Sequence, residues 1–287
     1  MRKAAFVFSA LAVLLAPPLA AQASAEHLPN RIKIEYVPPE KTEQQHVYDL
    51  MKSRHVLEKV QELFSPFRLP IDLHVKAKTC GMINAWYQRQ DRDAVLTVCY
   101  EYVDDIFTKV PEGVTPAGVT RTDALVGQFF YVVGHEMGHA MFDLLDVPVF
   151  GRAEDAADQF STYIMLQMGK SDARRLIGGA AYSYKKIIDM PEMTIKMRMF
   201  SDVHGSSAQR FYNMVCLAYG ADPKLFGDVI EKGFLPKQRV PNCNWEYREL
   251  AYAFRKLIRP NLDPALVKKV LNTGWLPPEP EKRPERQ

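Results

Sequence analysis

Apolar residues recur along the chain with two periods, and the change from one to the other divides it. The alternation in Ile32-Lys33-Ile34-Glu35-Tyr36 has the period of two that a half-buried strand requires. Over 42–64 the apolar positions Val47, Leu50, Leu57, Val60 and Phe64 fall at helical spacing and predict an amphipathic helix. Alternation returns at Ile71, Leu73, Val75 and Ala77, a second strand. Two extended runs, 82–88 and 94–100, flank the polar Arg89-Gln90-Asp91-Arg92-Asp93, which is a hairpin pattern. A helix is expected over 100–110 and a loop over 111–118. The most apolar helix starts at Thr122, a reasonable N-cap, and runs to Leu145 through Leu125, Phe129, Val132, Val133 and Met137. Another helix begins near Arg152. Beyond Gly169 the pattern is helical, over 171–189, 209–219, 223–232, 245–258 and 264–271, with Gly220 and Gly233 as C-terminal caps. The expected class is α+β: a small mixed sheet on a central buried helix, then a mainly helical C-terminal lobe.

The two ends stand outside this pattern. Arg2 and Lys3 precede an apolar run over 4–16, followed by the small-residue patterns Ala21-Gln22-Ala23 and Ala23-Ser24-Ala25. Residues 1–25 read as a signal peptide cut after Ala23 or Ala25. The run is too short to span a bilayer comfortably, and no cysteine beside the cleavage site offers a lipid anchor. A secreted or periplasmic protein with no stable membrane anchor is expected. The last residues, 277–287, are rich in Pro, Glu, Lys and Arg and predict a disordered tail. Between them, 26–276 form one domain, an α/β lobe to about residue 169 and a helical lobe over 170–276.

Export changes the meaning of the four cysteines, Cys80, Cys99, Cys216 and Cys243, which in an oxidising compartment imply two disulfides. Three pairings are possible; Cys80–Cys99 and Cys216–Cys243 are the local ones, and folding the hairpin brings Cys80 nearly opposite Cys99. The formal net charge of +3 is small and the basic residues are scattered, which speaks against nucleic acid as a partner.

The chemistry is concentrated in His135-Glu136-Met137-Gly138-His139. On a helix His135 and His139 project from one face, about 5–6 Å apart at Cβ, so two imidazole nitrogens can meet one metal ion at about 2.0–2.1 Å each. Glu136 lies one step round the helix, where it can take a proton from water. Zinc suits this ligand set best, one ion per chain. The histidines sit inside an apolar helix and need partners there. Glu154 and Asp158, four apart on the next helix, share a face. Acidic residues in a first turn are ordinarily explained by the helix dipole; the functional reading makes Glu154 the third ligand and has Asp158 orient a ligating imidazole. Asp155 points about 100° away. His46 and His55 read as solvated or capping side chains. Asp202 and His204 can pair, with Arg210 following; alone, these fit a surface loop equally well.

Together, four segments resemble the gluzincin metallopeptidases, the group of thermolysin and neprilysin: Asn84-Ala85-Trp86-Tyr87, His135-Glu136-x-x-His139, Glu154-x-x-x-Asp158, and Asp202-Val203-His204 with Arg210 six residues on. They occur in the family's order. The chain also resembles an uncharacterised bacterial family of proteins taken for exported metallopeptidases. The resemblance implies a zincin-like fold whose edge strand lies on the zinc helix and binds a peptide through the Asn84 side chain and the Ala85 carbonyl. It further implies Glu136 as general base, His204 held by Asp202 as donor to the oxyanion, and Arg210 on a substrate carbonyl. Only 15 positions separate His139 from Glu154, fewer than in either named relative. The alternative class is an inactive zincin-fold protein that binds peptides or partners and keeps a structural zinc.

Overall fold

The computed structural model describes residues 30–40, 42–189, 199 and 201–278. The expected signal peptide and residues 279–287 of the expected tail lie outside them. The chain opens with β1 (Ile32–Tyr36), then α1 (Gln45–Ser53) and α2 (Val56–Leu63). The single helix expected over 42–64 is thus two, broken where His55 takes a left-handed conformation with φ 53°. β2 (Leu73–Lys78), β3 (Ala85–Gln90) and β4 (Asp93–Cys99) complete a four-stranded sheet in the order β1-β2-β4-β3. β1 and β2, and β2 and β4, run parallel; β3 and β4 are antiparallel. β4, inside the sheet, is buried along almost its whole length, whereas β2 alternates as its sequence predicts. β3 is the edge. Its hairpin closes in two residues, with Asp91 at φ 51°, a conformation Asp tolerates in tight turns.

After α3 (Tyr100–Lys109) comes the longest helix, α4 (Arg121–Leu144). Its N-cap is Thr120 rather than Thr122: the Thr120 hydroxyl accepts from the Asp123 amide and the Asp123 carboxylate accepts from the Thr120 amide. Asp123 also receives the buried Arg175 Nε at 2.7 Å, which ties the start of α4 to α6 (Lys170–Ile188). Those two helices pack closely because glycines meet: a Cβ on Gly127 would stand 2.5 Å from the Leu176 carbonyl oxygen, and one on Gly179 1.8 Å from that of Asp123. Between them in sequence lies α5 (Ala153–Gln167), which also packs on α4.

The helical remainder is α7 (Ser207–Ala221), α8 (Asp228–Glu231), α9 (Val240–Ala253) with a π-helical turn over Phe254–Ile258, and α10 (Pro264–Leu271). The helix expected over 223–232 shrinks to one turn. Gly233, at φ 71°, follows it in the capping conformation. Gly220 is not a cap: it lies within α7, where a Cβ would stand 2.1 Å from the Cys243 carbonyl oxygen. Its missing side chain lets α9 approach, and there Cys216 and Cys243 are bonded. Cys80 and Cys99 form the second disulfide. Among the described residues, no helix is long and apolar enough to cross a membrane.

Candidate metal centre

α4 carries His135 and His139 one turn apart, and the turn between them faces α5 across two glycines. A Cβ on Gly134 would stand 2.5 Å from Ser161 Oγ, and one on Gly138 3.2 Å from the Ala157 Cα. Larger residues would hold α5 away. With glycine there, Glu154 and Asp158 reach His135 from two sides. His135, only 3% exposed, has Nδ1 2.7 Å from Asp158 Oδ1 and Nε2 3.0 Å from Glu154 Oε2. His139 Nε2 lies 3.2 Å from His135 Nε2 and 3.3 Å from the same Glu154 oxygen.

Three candidate ligand atoms therefore form a triangle with edges of 3.0–3.3 Å. Tetrahedral ligands at 2.0–2.1 Å from a zinc ion would be separated by about 3.3–3.4 Å. The protons agree with such use. Asp158 takes the Nδ1–H of His135 and so turns Nε2 toward Glu154, where a metal ion would take the place of the Nε2 proton. The chemistry of the donors and their spacing fit a metal ion.

Electrostatics are arranged to the same end. A hydrogen bond from His135 outweighs burial and holds the Glu154 carboxyl at about 2. Burial pushes Asp158 up, but hydrogen bonds from His135 and Arg210 win and bring it to about 2. Burial also works against a charged His135, yet its bonds to Asp158 and Glu154 raise it to about 9. Burial and the neighbouring His135 lower His139. With Asp158 paired to Arg210, Glu154 is the ionised carboxylate that faces the two imidazoles.

Glu136 points elsewhere. Its Oε2 accepts the Tyr87 amide of β3 at 2.8 Å, and burial raises its carboxyl above the usual range. Asn84 is exposed just before β3, its carbonyl accepting from the Cys99 amide, and Ala85 is the buried first residue of the strand. The edge strand and the donor cluster thus meet on either side of Glu136.

The segment with Asp202 and His204 is brought onto α5. Arg152, the residue before that helix, donates through Nη2 to the carbonyls of Asp202, at 2.8 Å, and Val203. The His204 amide donates to Asp202 Oδ1, and His204 Nε2 lies 2.8 Å from Glu154 Oε2. His135, Glu154 and His204 offer ligand atoms all within 4.8 Å of one another. Asp155 faces the loop instead, 3.6 Å from where a Cβ on Gly205 would stand.

Arg210, expected on a substrate carbonyl, sits against Asp158, with Nε 2.7 Å from Oδ2 and Nη2 2.5 Å from Oδ1. Tyr131 of α4 and Tyr184 of α6 flank its guanidinium, at 5.5 and 5.2 Å. Four helices thus meet at one buried ion pair, directly behind His135. His46 and His55, on the surface, take no part. Sequence reasoning missed Arg152, Tyr87 as a partner of Glu136, and the two tyrosines. Only Tyr87 carried a signal, as the last residue of the Asn-Ala-Trp-Tyr segment.

No curated protein and no solved structure matches the chain. A family model does: DUF4344, described as "Putative metallopeptidase", matches residues 36–258, from the end of β1 to the π turn after α9. The chain belongs to that metallopeptidase family, whose activity implies a metal ion and a peptide or protein substrate.

Proposed function

We propose that the protein is an exported, zinc-dependent peptidase of the gluzincin type. His135, His139 and Glu154 hold one zinc ion, and Glu136 is the general base. The observation that carries this reading is the division of labour on α4: two histidines face the carboxylate of α5, while the glutamate between them faces the edge strand. Two imidazoles and one carboxylate form the ligand set of catalytic zinc sites, which keep a position open. The two disulfides accord with an oxidising compartment and so with cleavage of a signal over 1–25.

A peptide lying along β3 near Asn84 and Ala85 would pair with main-chain groups of the edge. The metal ion, when bound, supplies Lewis acidity to the scissile carbonyl and to water. Tyr87 occupies Oε2 of Glu136, so Oε1 is the atom that takes a proton from water and returns it to the leaving amine. Burial, which raises the Glu136 carboxyl, makes it a stronger base than an exposed carboxylate. His204, with Asp202 on its amide, donates to the substrate oxygen as negative charge develops. Arg210 fixes Asp158, which fixes His135.

A second reading rests on one distance. His204 Nε2 is 2.8 Å from the Glu154 oxygen, close enough for it to serve as a fourth protein ligand. Four protein ligands close a site, as structural zinc requires, and the protein would then bind peptides without cutting them. His204 stays 43% exposed on a loop held by Arg152, so it is the ligand most easily withdrawn. Metal analysis with a peptide-library digest separates the readings. The mature protein should hold one zinc per chain and cleave peptides until a chelator removes it. Stoichiometric zinc with no cleavage of any library member, together with zinc lost in His204→Ala, would defeat the peptidase reading.

A further inference from the structure

β3 is attached to α4 at two points, and one residue makes both attachments. In the hairpin the Cys99 amide donates to the Asn84 carbonyl, so Asn84, Trp86 and Gln88 turn their main-chain groups toward β4. By alternation Ala85, Tyr87 and Arg89 turn theirs to the open edge. The Tyr87 N–H on that edge donates to Glu136 Oε2 at 2.8 Å. The Tyr87 hydroxyl reaches farther along the helix and donates to Asp143 Oδ2 at 2.5 Å. Asp143 is seven residues, two helical turns, beyond Glu136, so the two acids share a face. Its other oxygen, Oδ1, accepts Arg89 Nη1 at 3.0 Å. Both oxygens of Asp143 are therefore spent on side chains of β3.

We propose that Asp143, through Tyr87 and Arg89, is a positioning residue that sets how β3 lies along α4 and thereby where the Glu136 carboxylate meets the strand edge. Glu136 follows χ torsions that its own helix leaves free, and Oε2 is held only where the Tyr87 amide comes to it. The amide comes to it because the tyrosine ring is anchored two turns away. Asp143 lies one turn beyond His139 but spends both oxygens on β3 and is 38% exposed, so Asp143→Ala removes no hydrogen bond to the proposed metal ligands and leaves the core of α4 intact. The assignment also limits substrate pairing. An added strand can use the outward groups of Ala85 and the Tyr87 carbonyl, but the Tyr87 N–H belongs to Glu136. The reacting bond is thereby placed beside Tyr87.

This inference rests on the peptidase reading for its consequence but not for its test. The amide of residue 87 is followed by ¹⁵N-resolved NMR in the full mature protein, with metal content measured in each sample. Glu136→Gln should move that resonance and speed its exchange with solvent at least tenfold, because the acceptor loses its charge. Asp143→Ala should do the same while metal content stays at the parental level. Asp143→Asn, which keeps one acceptor, should fall between. Tyr87→Phe should match Asp143→Ala, and Arg89→Lys should have the smallest effect. On any peptide the parent cleaves, Asp143→Ala should lower kcat about tenfold with KM changed less than twofold. If the residue 87 amide responds to Glu136→Gln but not to Asp143→Ala or Tyr87→Phe, the positioning role is overturned. If the parent cleaves nothing, the peptidase reading fails while the amide measurement still decides the clamp.

Discussion

Asp158→Asn is the perturbation whose consequences the structure specifies most fully. Asp158 accepts two bonds from Arg210 and one from His135, and the three side chains are only 13%, 17% and 4% exposed respectively. Asparagine keeps the shape and removes the charge, which leaves the Arg210 cation buried without its counter-ion. Removing one partner of such a pair costs about 3–5 kcal/mol. A domain of this size loses about 2–4 °C per kcal/mol, so the melting midpoint should fall by roughly 6–20 °C. The tyrosine rings beside Arg210 soften this loss and favour the lower end. A second effect is separate. An amide NH₂ facing His135 Nδ1 favours the tautomer protonated at Nε2, the atom needed by a metal, so metal affinity should fall at least the 10–100-fold expected of an outer partner. The assay is a denaturation series on Asp158→Asn, Arg210→Met and the double variant, each with saturating zinc and with chelator. The double variant should be more stable than the sum of the single losses predicts, since it buries no unpaired charge. A cost under 1 kcal/mol for Asp158→Asn, with zinc affinity unchanged, would refute the reasoning.

Three further outcomes follow from other contacts. In metal-stripped protein, His135 is raised from 6.5 to about 9; its stabilising charge is fully present below about 6.5 and lost as pH rises to about 9. The midpoint should fall across that window by calorimetry, and the fall should vanish when zinc is bound. The neighbours Gly178 and Gly179 should behave oppositely: Gly178→Ala, whose Cβ meets only Val119 Cγ2 at 3.6 Å, should be neutral or stabilising by up to about 1 kcal/mol. Gly179→Ala drives a Cβ to 1.8 Å from the Asp123 carbonyl oxygen and should prevent normal packing of α6 on α4, seen as a collapse in urea midpoint. Replacing Cys216 and Cys243 by serine opens a 27-residue loop and should cost about 3.5 kcal/mol in the chain-entropy account. Metal content should not change, because that bond joins α7 to α9 away from the donor cluster.

What the sequence made legible was whatever is set by spacing. The four-residue interval between His135 and His139, the i,i+4 carboxylates on α5 and the alternation of β2 are local, and local periodicity survives folding. The Cys80–Cys99 pairing was also legible, though not for the reason the hairpin suggested: Asn84 stands opposite Cys99 in the hairpin, and Cys80 comes near because it follows Lys78, the parallel partner of Cys99 on β2. What stayed hidden depends on approach between distant elements. Gly220 carries the composition of a helix cap, yet its use is to admit Cys243 of α9. His55 splits a helix that its flanking apolar residues continue smoothly. Arg210 is legible from its place six residues after His204, but its bond to Asp158, 52 residues earlier, depends on packing alone. Arg152 gave no signal at all, since its role is to hold two backbone carbonyls that any residues could supply.

The central claim is that α4 divides its work, its histidines holding metal and Glu136 moving protons. The most direct test is the rate of one cleaved peptide by parental protein and by Glu136→Gln, compared at equal zinc per chain. The account predicts equal zinc, equal peptide binding and a rate lower by at least about 10²–10⁴-fold, the usual cost of removing a general base. Cleavage by Glu136→Gln at the parental rate, with zinc in place, would contradict it.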